Sequence, residues 1–157
     1  EELTDSYADL CITAACLHDI GKITIPDYIL NAPRKLTDEE FSIMKTHTVA
    51  GALAIDNILG SLEDTDYLNV AKQVALSHHE RWDGRGYPNQ LKGNEIPLCA
   101  RLMSVVDVFD ALVSERCYKK AYSVSEALNI LRSGSGTQFD PLIVNIFIEI
   151  IELQNCA

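Results

Sequence analysis

The sequence predicts an all-α protein, and three observations support this fold class. Apolar residues recur at helical spacing along much of the 157-residue chain, and helix-capping residues stand at the boundaries of these stretches. No segment shows the polar–apolar alternation of a half-buried strand. Because the length is that of one domain, we expect residues 1–157 to form a single helical bundle.

The N-terminal part of the chain predicts one helix followed by a loop. Thr4 or Asp5 is expected to cap a first helix that ends near Gly21. The residues expected on its inner face are Leu10, Ala14 and Leu17. Two prolines within residues 23–33 predict a loop that contains one short helical turn.

A capping box formed by Thr37 and Glu40 predicts the start of one long helix that Gly60 ends. The residues at helical spacing along it are Phe41, Met44, Thr48, Ala52, Ile55 and Leu59. A third helix is expected over 66–81, followed by a loop at 82–88. The inner face of this third helix is expected to carry Leu68, Ala71, Val74, Ala75 and His78.

The C-terminal third predicts three more helices. The first spans about 97–115. A second capping box, Ser123 with Glu126, begins the next, which should end at Gly134 and Gly136. An aspartate and a proline at positions 140–141 supply the cap and the first residue of the last helix.

Composition restricts the function classes. The formal charge of −10 argues against broad binding to duplex DNA. No apolar run is long enough to span a bilayer and no signal peptide is visible, so we expect a cytoplasmic domain. An odd number of cysteines without a CxxC pair indicates free thiols in a reducing compartment: Cys11, Cys16, Cys99, Cys117 and Cys156. The cations near the motifs below favour a small anionic ligand: Lys22, Arg81, Arg85, Arg116, Lys119 and Lys120.

The four histidines stand in unusual contexts: His18 precedes Asp19, His47 stands alone, and His78 precedes His79. One isolated histidine is more often a core or surface residue than a ligand. Four histidines together, with the HisAsp and HisHis pairs each near the C-terminal end of a predicted helix, instead favour a site that holds more than one metal ion. Adjacent helical residues point about 100° apart, so each pair would serve neighbouring ions, with a carboxylate such as that of Asp19 bridging.

Two further carboxylates belong to an otherwise apolar helix, Asp107 and Asp110. They are three positions apart and therefore on one face. A buried charge requires a partner or a metal, so one could be a ligand and the other could orient a ligand or a loop. The alternative is that both are surface acids. Imidazole with carboxylate suits zinc, iron, manganese or nickel better than magnesium.

Several motifs together resemble the HD-GYP family of bacterial signalling phosphodiesterases. They are His18-Asp19, His47 followed by Gly51, the string from His78 to Pro88 that reads HHERWDGRGYP, and the segments 107–110, 116–121 and 137–141. The resemblance implies an HD-superfamily helical bundle with two or three bound metal ions, iron or manganese above nickel or zinc. The implied ligands are His18, Asp19, His47, His78, His79 and Asp107, with Asp19 bridging.

The same resemblance implies a function and a set of substrate contacts. A metal-activated hydroxide would hydrolyse cyclic di-GMP or a related cyclic dinucleotide to linear pGpG and/or GMP. The residues implied to contact substrate are Lys22, Tyr87, Arg116 and Lys119, with Asp110 outside the ligand shell. Lys22 could instead pair with an acid, Tyr87 could pack the loop, and we expect Lys120 to belong to a solvated basic face.

One departure from the family pattern leaves alternatives open. Relatives usually carry another histidine ligand on a helix before the HD pair, whereas residues 1–17 contain none. We expect that the N-terminal helix or helices of the domain precede this sequence. Otherwise the domain is a non-catalytic cyclic-dinucleotide sensor, or a module that docks a diguanylate cyclase. A generic HD phosphohydrolase of monomeric nucleotides is the third alternative. An upstream sensor or receiver domain is also expected.

Overall fold

The computed structural model describes residues 4–59, 65–115 and 120–155, and within them it is helical without a named strand, so the all-α prediction is confirmed. The helices are α1 (Asp5–Ala15), α2 (Asp27–Leu30), α3 (Asp38–Lys45), α4 (His47–Leu59), α5 (Thr65–Ser77), α6 (Leu98–Val113), α7 (Val124–Gly134) and α8 (Pro141–Asn155). Short 3₁₀ turns occupy Ile20–Thr24 and Gly93–Glu95. Gly60 lies outside the described residues, so its expected role as a helix stop has no structural counterpart here.

The predicted helix caps are present in the structure. The Thr4 side chain accepts a hydrogen bond from the first turn of α1. Both capping boxes are complete: Thr37 with Glu40 begins α3, and Ser123 with Glu126 begins α7. These side chains satisfy amide groups that the first turn of a helix cannot pair internally.

The single long helix predicted after Thr37 is wrong, because the chain breaks into α3 and α4 at Thr46. The Thr46 amide and hydroxyl both donate to the Ile43 carbonyl, at 3.0 and 2.7 Å. The Thr48 hydroxyl donates to the Lys45 carbonyl at 3.0 Å. Such local side-chain bonds compete with the helical pattern and allow the change in direction. Phe41, one of the residues at helical spacing in the predicted helix, is 45% exposed.

Three predicted helices extend too far. After α1, the amides of Leu17 and His18 bond carbonyls only three residues back, which ends the α-helical pattern well before Gly21. The helix α5 ends at Ser77 rather than at 81, and the Glu80 amide bonds the Ser77 carbonyl. The helix α6 spans Leu98–Val113 rather than 97–115, since the residues flanking it have extended ψ angles.

Two hydrophobic clusters share helix α6. The first joins α1, α4, α5 and α6 and includes Ala71, Val74 and Cys99. The second joins α6, α7 and α8 around Leu131 and Phe139. Because one face of α6 packs in each cluster, this helix links the two halves of the bundle. No helix among the described residues is both long and apolar enough to cross a membrane.

The segment at 137–141 holds the long loop between α5 and α6. The amides of Trp82 and Asp83 donate to the carbonyls of Gln138 and Thr137, at 3.1 and 2.8 Å. Asp140 is 6% exposed, caps α8 and forms an ion pair of 2.8 Å with Arg101 of α6. This segment therefore fixes the position of the loop relative to the helices of the bundle.

Candidate metal centre

Helix ends bring the motif histidines together. His18 and Asp19 lie in the turn after α1, His47 is the first residue of α4, and His78 and His79 follow α5. Five residues from three parts of the sequence thus converge on one point. Helix breaks at Thr46 and after Ser77, which the sequence did not predict, are what direct these side chains inward.

Backbone carbonyls orient three of the histidine rings. Nδ1 of His18, His47 and His78 contacts the carbonyl oxygen three or four residues earlier, at 2.7, 2.7 and 2.9 Å. A carbonyl only accepts hydrogen bonds, so the proton of each neutral ring lies on Nδ1. In the neutral form of each ring, Nε2 therefore carries a lone pair, which is the arrangement of metal-binding histidines.

The Nε2 atoms surround one oxygen of Asp19. Asp19 Oδ1 lies 3.5 Å from His47 Nε2 and 3.8 Å from His78 Nε2. The oxygen is buried and has no hydrogen-bond donor among the described residues. Asp19, His47, His78 and His79 each offer one ligand atom, and these atoms lie within 4.8 Å of one another. A set of buried lone pairs without protons fits a divalent cation.

The other oxygen of Asp19 faces different partners. Oδ2 lies 3.2 Å from His18 Nε2 and 2.5 Å from Lys22 Nζ. His18 Nε2 is in turn 3.8 Å from Asp107 Oδ1, which brings the carboxylate of α6 to the same place. The two carboxylate oxygens of Asp19 therefore face two different groups of side chains.

The electrostatics keep the acid ionised and most of the imidazoles neutral. Burial opposes ionisation of Asp19, but hydrogen bonds from His18 and Lys22 outweigh it and hold its pKa well below the usual range. Burial lowers the pKa of His78 to about 4 and that of His79 to about 3, and it also lowers the pKa of His47. The hydrogen bond with Asp19 raises the pKa of His18. Neutral imidazole is the form that binds metal.

Two glycines allow the turn after α1 to approach α4. A Cβ atom on Gly21 would overlap the His47 carbonyl oxygen and the backbone of Gly51. A Cβ on Gly51 would instead lie 3.3 Å from the Gly21 nitrogen, a tight but tolerable contact. Backbone contact at Gly21 therefore brings Asp19 beside His47.

The loop after His79 covers one side of the centre. The Tyr87 ring stacks on the His79 ring, with centroids 4.8 Å apart and planes inclined by 29°. Sequence reasoning overlooked Glu80, which is 3% exposed and accepts backbone hydrogen bonds from Asn89 at 2.7 Å and Leu91 at 3.0 Å. Its place directly after two histidines was the available signal. These hydrogen bonds hold the loop against the buried Glu80 side chain and so position Tyr87.

The remaining predicted site residues fall into three groups. Lys22 pairs with Asp19, as the alternative interpretation anticipated. Asp110 is exposed and contacts Ser114 at 3.4 Å, and Lys120 is exposed. Arg116 and Lys119 lie outside the described residues.

Comparison with known proteins identifies the family. The sequence profile of the HD domain family matches residues 2–143. The chain belongs to the HD domain family. This HD domain is 49% identical over 150 residues to a cyclic di-GMP phosphodiesterase of Vibrio cholerae, covering 96% of this chain and 30% of the relative. It is 46% identical over 137 residues to a cyclic di-GMP phosphodiesterase of Thermotoga maritima, covering 87% and 36%.

Other relatives are named for a different substrate, 3'3'-cGAMP. The HD domain is 40% identical over 147 residues to a 3'3'-cGAMP-specific phosphodiesterase of Vibrio cholerae, covering 94% of this chain and 27% of the relative. The crystal structure of a cyclic GMP-AMP specific phosphodiesterase of the same organism superimposes with a TM-score of 0.70 at 23% identity. It covers 96% of this chain and 40% of that one, and supports the fold. The HD domain spans about a third of the length of its curated relatives.

Proposed function

We propose that this HD domain is a metal-dependent phosphodiesterase that hydrolyses cyclic di-GMP, or a related cyclic dinucleotide, to linear pGpG and/or GMP. The observation that carries the proposal is the buried Asp19 Oδ1, which faces the Nε2 atoms of His47 and His78 without a hydrogen-bond donor. The names of the relatives support the substrate class.

The proposed metal ligands are His18, Asp19, His47, His78, His79 and Asp107, with Asp19 bridging. We propose two or three divalent transition metal ions, iron or manganese in preference to nickel or zinc, because the ligands are imidazoles and carboxylates without thiolates. When bound, such ions polarise a phosphoryl oxygen and lower the pKa of water. Both effects favour phosphodiester hydrolysis at neutral pH.

The protein's own residues would bind and orient the substrate. Lys22 Nζ lies at the Asp19 carboxylate and would interact with a nonbridging phosphate oxygen beside it. Tyr87 covers the ring of His79 and would limit where the nucleotide can lie. Arg116 and Lys119 are proposed as further phosphate contacts. A diguanylate cyclase partner and an upstream sensor or receiver domain stay predictions from the sequence resemblance.

The experiment that tests this function is turnover by protein loaded separately with iron, manganese, nickel or zinc. Cyclic di-GMP, 3'3'-cGAMP and cyclic di-AMP are the substrates, and the products are separated by chromatography. We expect linear dinucleotide or mononucleotide from at least one substrate. Lys22→Ala should lower kcat/KM while metal content stays unchanged, whereas the exposed Lys35→Ala should change neither.

Two outcomes would contradict the proposal. Binding of cyclic dinucleotide without hydrolysis under every metal would support the non-catalytic sensor instead. Faster turnover of monomeric nucleotides than of cyclic dinucleotides would support a generic nucleotide phosphohydrolase. The domain must be tested within its full-length protein, because the chain spans only about a third of its relatives.

A further inference from the structure

A groove of about 450 Å³ lies against the metal centre on the far side of Tyr87. It runs between α3 and the loop that carries Tyr87, and its size is within the range of small-molecule sites. Its lining residues include Phe41, Lys45, Thr46, Arg85, Tyr87 and Gln90. Because Tyr87 lines the groove and stacks on His79, the groove adjoins the candidate metal centre.

Two cations of this groove, Lys45 and Arg85, form no ion pair with a carboxylate of the described residues. Among the described arginines, the ion-paired ones are Arg34, Arg81, Arg101 and Arg132. Arg85 is the exception: its backbone amide donates to Asp83 Oδ1, and its guanidinium acts on that carboxylate through its charge without forming an ion pair. The ammonium group of Lys45 lies over the Phe41 ring, 5.3 Å from the centroid. In a chain of net charge −10, two such cations in one groove indicate an electron-rich ligand.

The groove also presents an aromatic surface. Phe41 meets Tyr87 edge-on, with ring centroids 6.1 Å apart and planes at 86°. Phe41 is 45% exposed, so much of its ring is available to a ligand. Exposed aromatic rings beside cations are how proteins hold unpaired nucleobases, since every base has a face that stacks.

We propose that this groove binds one base of the cyclic dinucleotide and that Arg85 selects guanine over adenine. The proposal rests on the function proposed above, which supplies the phosphates at the metal centre. Guanine offers two adjacent acceptors, O6 and N7, to which an arginine binds with two hydrogen bonds. Adenine offers an amino donor beside N7, so the guanidinium would face a donor with another donor. Phe41 would support either base by stacking.

The proposal bears on substrate choice among the relatives. Cyclic di-GMP and 3'3'-cGAMP share the same phosphodiester chemistry and differ in one base. Residues at the metals therefore cannot distinguish the two substrates through the phosphates. A base-reading residue outside the metal centre can, and Arg85 occupies such a position, two residues before Tyr87.

The test compares Arg85→Ala, Arg85→Gln, Phe41→Leu and the control Lys35→Ala in metal-loaded protein. kcat/KM is measured for cyclic di-GMP, 3'3'-cGAMP and cyclic di-AMP, together with metal content. Arg85→Ala should lower kcat/KM for cyclic di-GMP by roughly tenfold or more, the effect of one two-bonded arginine–guanine pair, and that for cyclic di-AMP much less. Arg85→Gln should shift the preference towards adenine, because glutamine pairs with adenine N6 and N7.

Further measurements distinguish base binding in the groove from hydrolysis at the metal centre. Phe41→Leu should raise KM for all three substrates alike, and Lys35→Ala should raise it for none. An equal loss on guanine and adenine substrates in Arg85→Ala, or an unchanged preference, would overturn the proposal. Calorimetric titration with GMP and AMP provides a readout that does not need turnover. In one outcome, wild type hydrolyses no cyclic dinucleotide and still binds GMP more tightly than AMP, with Arg85→Ala removing that difference. That result would contradict the proposed enzymatic function and support the proposed base site.

Discussion

The Nε2 atoms of His47 and His78 face each other 3.5 Å apart, while Nδ1 of each ring is bonded to a backbone carbonyl. Two lone pairs at this distance repel unless a proton or a cation lies between them. A proton is disfavoured, because burial lowers the pKa of both rings, that of His78 to about 4. A metal ion is therefore the partner that this pair favours.

Metal removal should accordingly destabilise the protein. Free metal at a hundred times its dissociation constant would contribute about 2.7 kcal/mol to the free energy of unfolding. We expect chelation to lower the melting temperature, and restored manganese or iron to raise it again. Calcium, which prefers more oxygen ligands, should restore little. An unchanged melting temperature after verified metal removal would contradict the site.

Asp19→Asn should reduce metal content strongly, because the amide keeps the shape of the carboxylate but not its charge. The matched control is Asp56→Asn, which changes a 52% exposed carboxylate that pairs with Lys72 on the surface. Elemental analysis of both purified proteins checks the prediction. Full occupancy in Asp19→Asn would show that this carboxylate is not a bridging ligand.

Gly21→Ala and Gly51→Ala should differ sharply, although each adds one methyl group at the same contact. The Gly21 methyl would overlap the backbone of α4, and overpacking of this kind costs about 1–3 kcal/mol. The Gly51 methyl would lie 3.3 Å from the Gly21 nitrogen. Alanine inside a helix is more favourable than glycine by about 1 kcal/mol in folding free energy. Chemical denaturation measures both, and equal stability of the two variants would contradict the close approach.

Glu80→Gln should loosen the loop that carries Tyr87. The carboxylate accepts backbone hydrogen bonds from Asn89 and Leu91, and bonds to a charged group contribute about 1.5–3 kcal/mol each. We expect a loss of roughly that size for one bond, since the amide keeps one acceptor. The control, Glu95→Gln, changes an exposed glutamate that accepts a backbone bond from Lys92 and should cost much less. Denaturant titration and hydrogen exchange at Asn89 and Leu91 measure the effect.

Low pH should weaken the start of α3. The Arg34 guanidinium, together with the Thr37 amide, lowers the pKa of Glu40 from 4.5 to about 2. Because the folded pKa is depressed, the stabilisation is present above the ordinary pKa and is lost as pH falls from 4.5 towards 2. NMR titration of the Glu40 carboxyl should show this low value. Arg34→Ala should raise it towards 4.5, and an unchanged titration in that variant would contradict the assignment.

Much of the fold and the ligand set could be predicted from local sequence. The caps at Thr4, Thr37 and Ser123 act within one helical turn, so short spacings were sufficient to find them. The histidine and aspartate motifs likewise stood out as residue types in unusual contexts. Asp19, His47, His78 and His79 converge in the structure, and the chain belongs to the HD domain family; their role as ligands stays a prediction.

Sequence alone therefore determined the helical class, the capped starts of α1, α3 and α7 and the residue types of the centre, because each depends on neighbours three or four positions apart. Only the tertiary structure decided the isolation of Asp19 Oδ1 and the presence of Lys45 and Arg85 in the lining of one groove. These features depend on contacts between residues distant in sequence. Their distances are set by how α1, α4 and α5 pack, which no local pattern specifies.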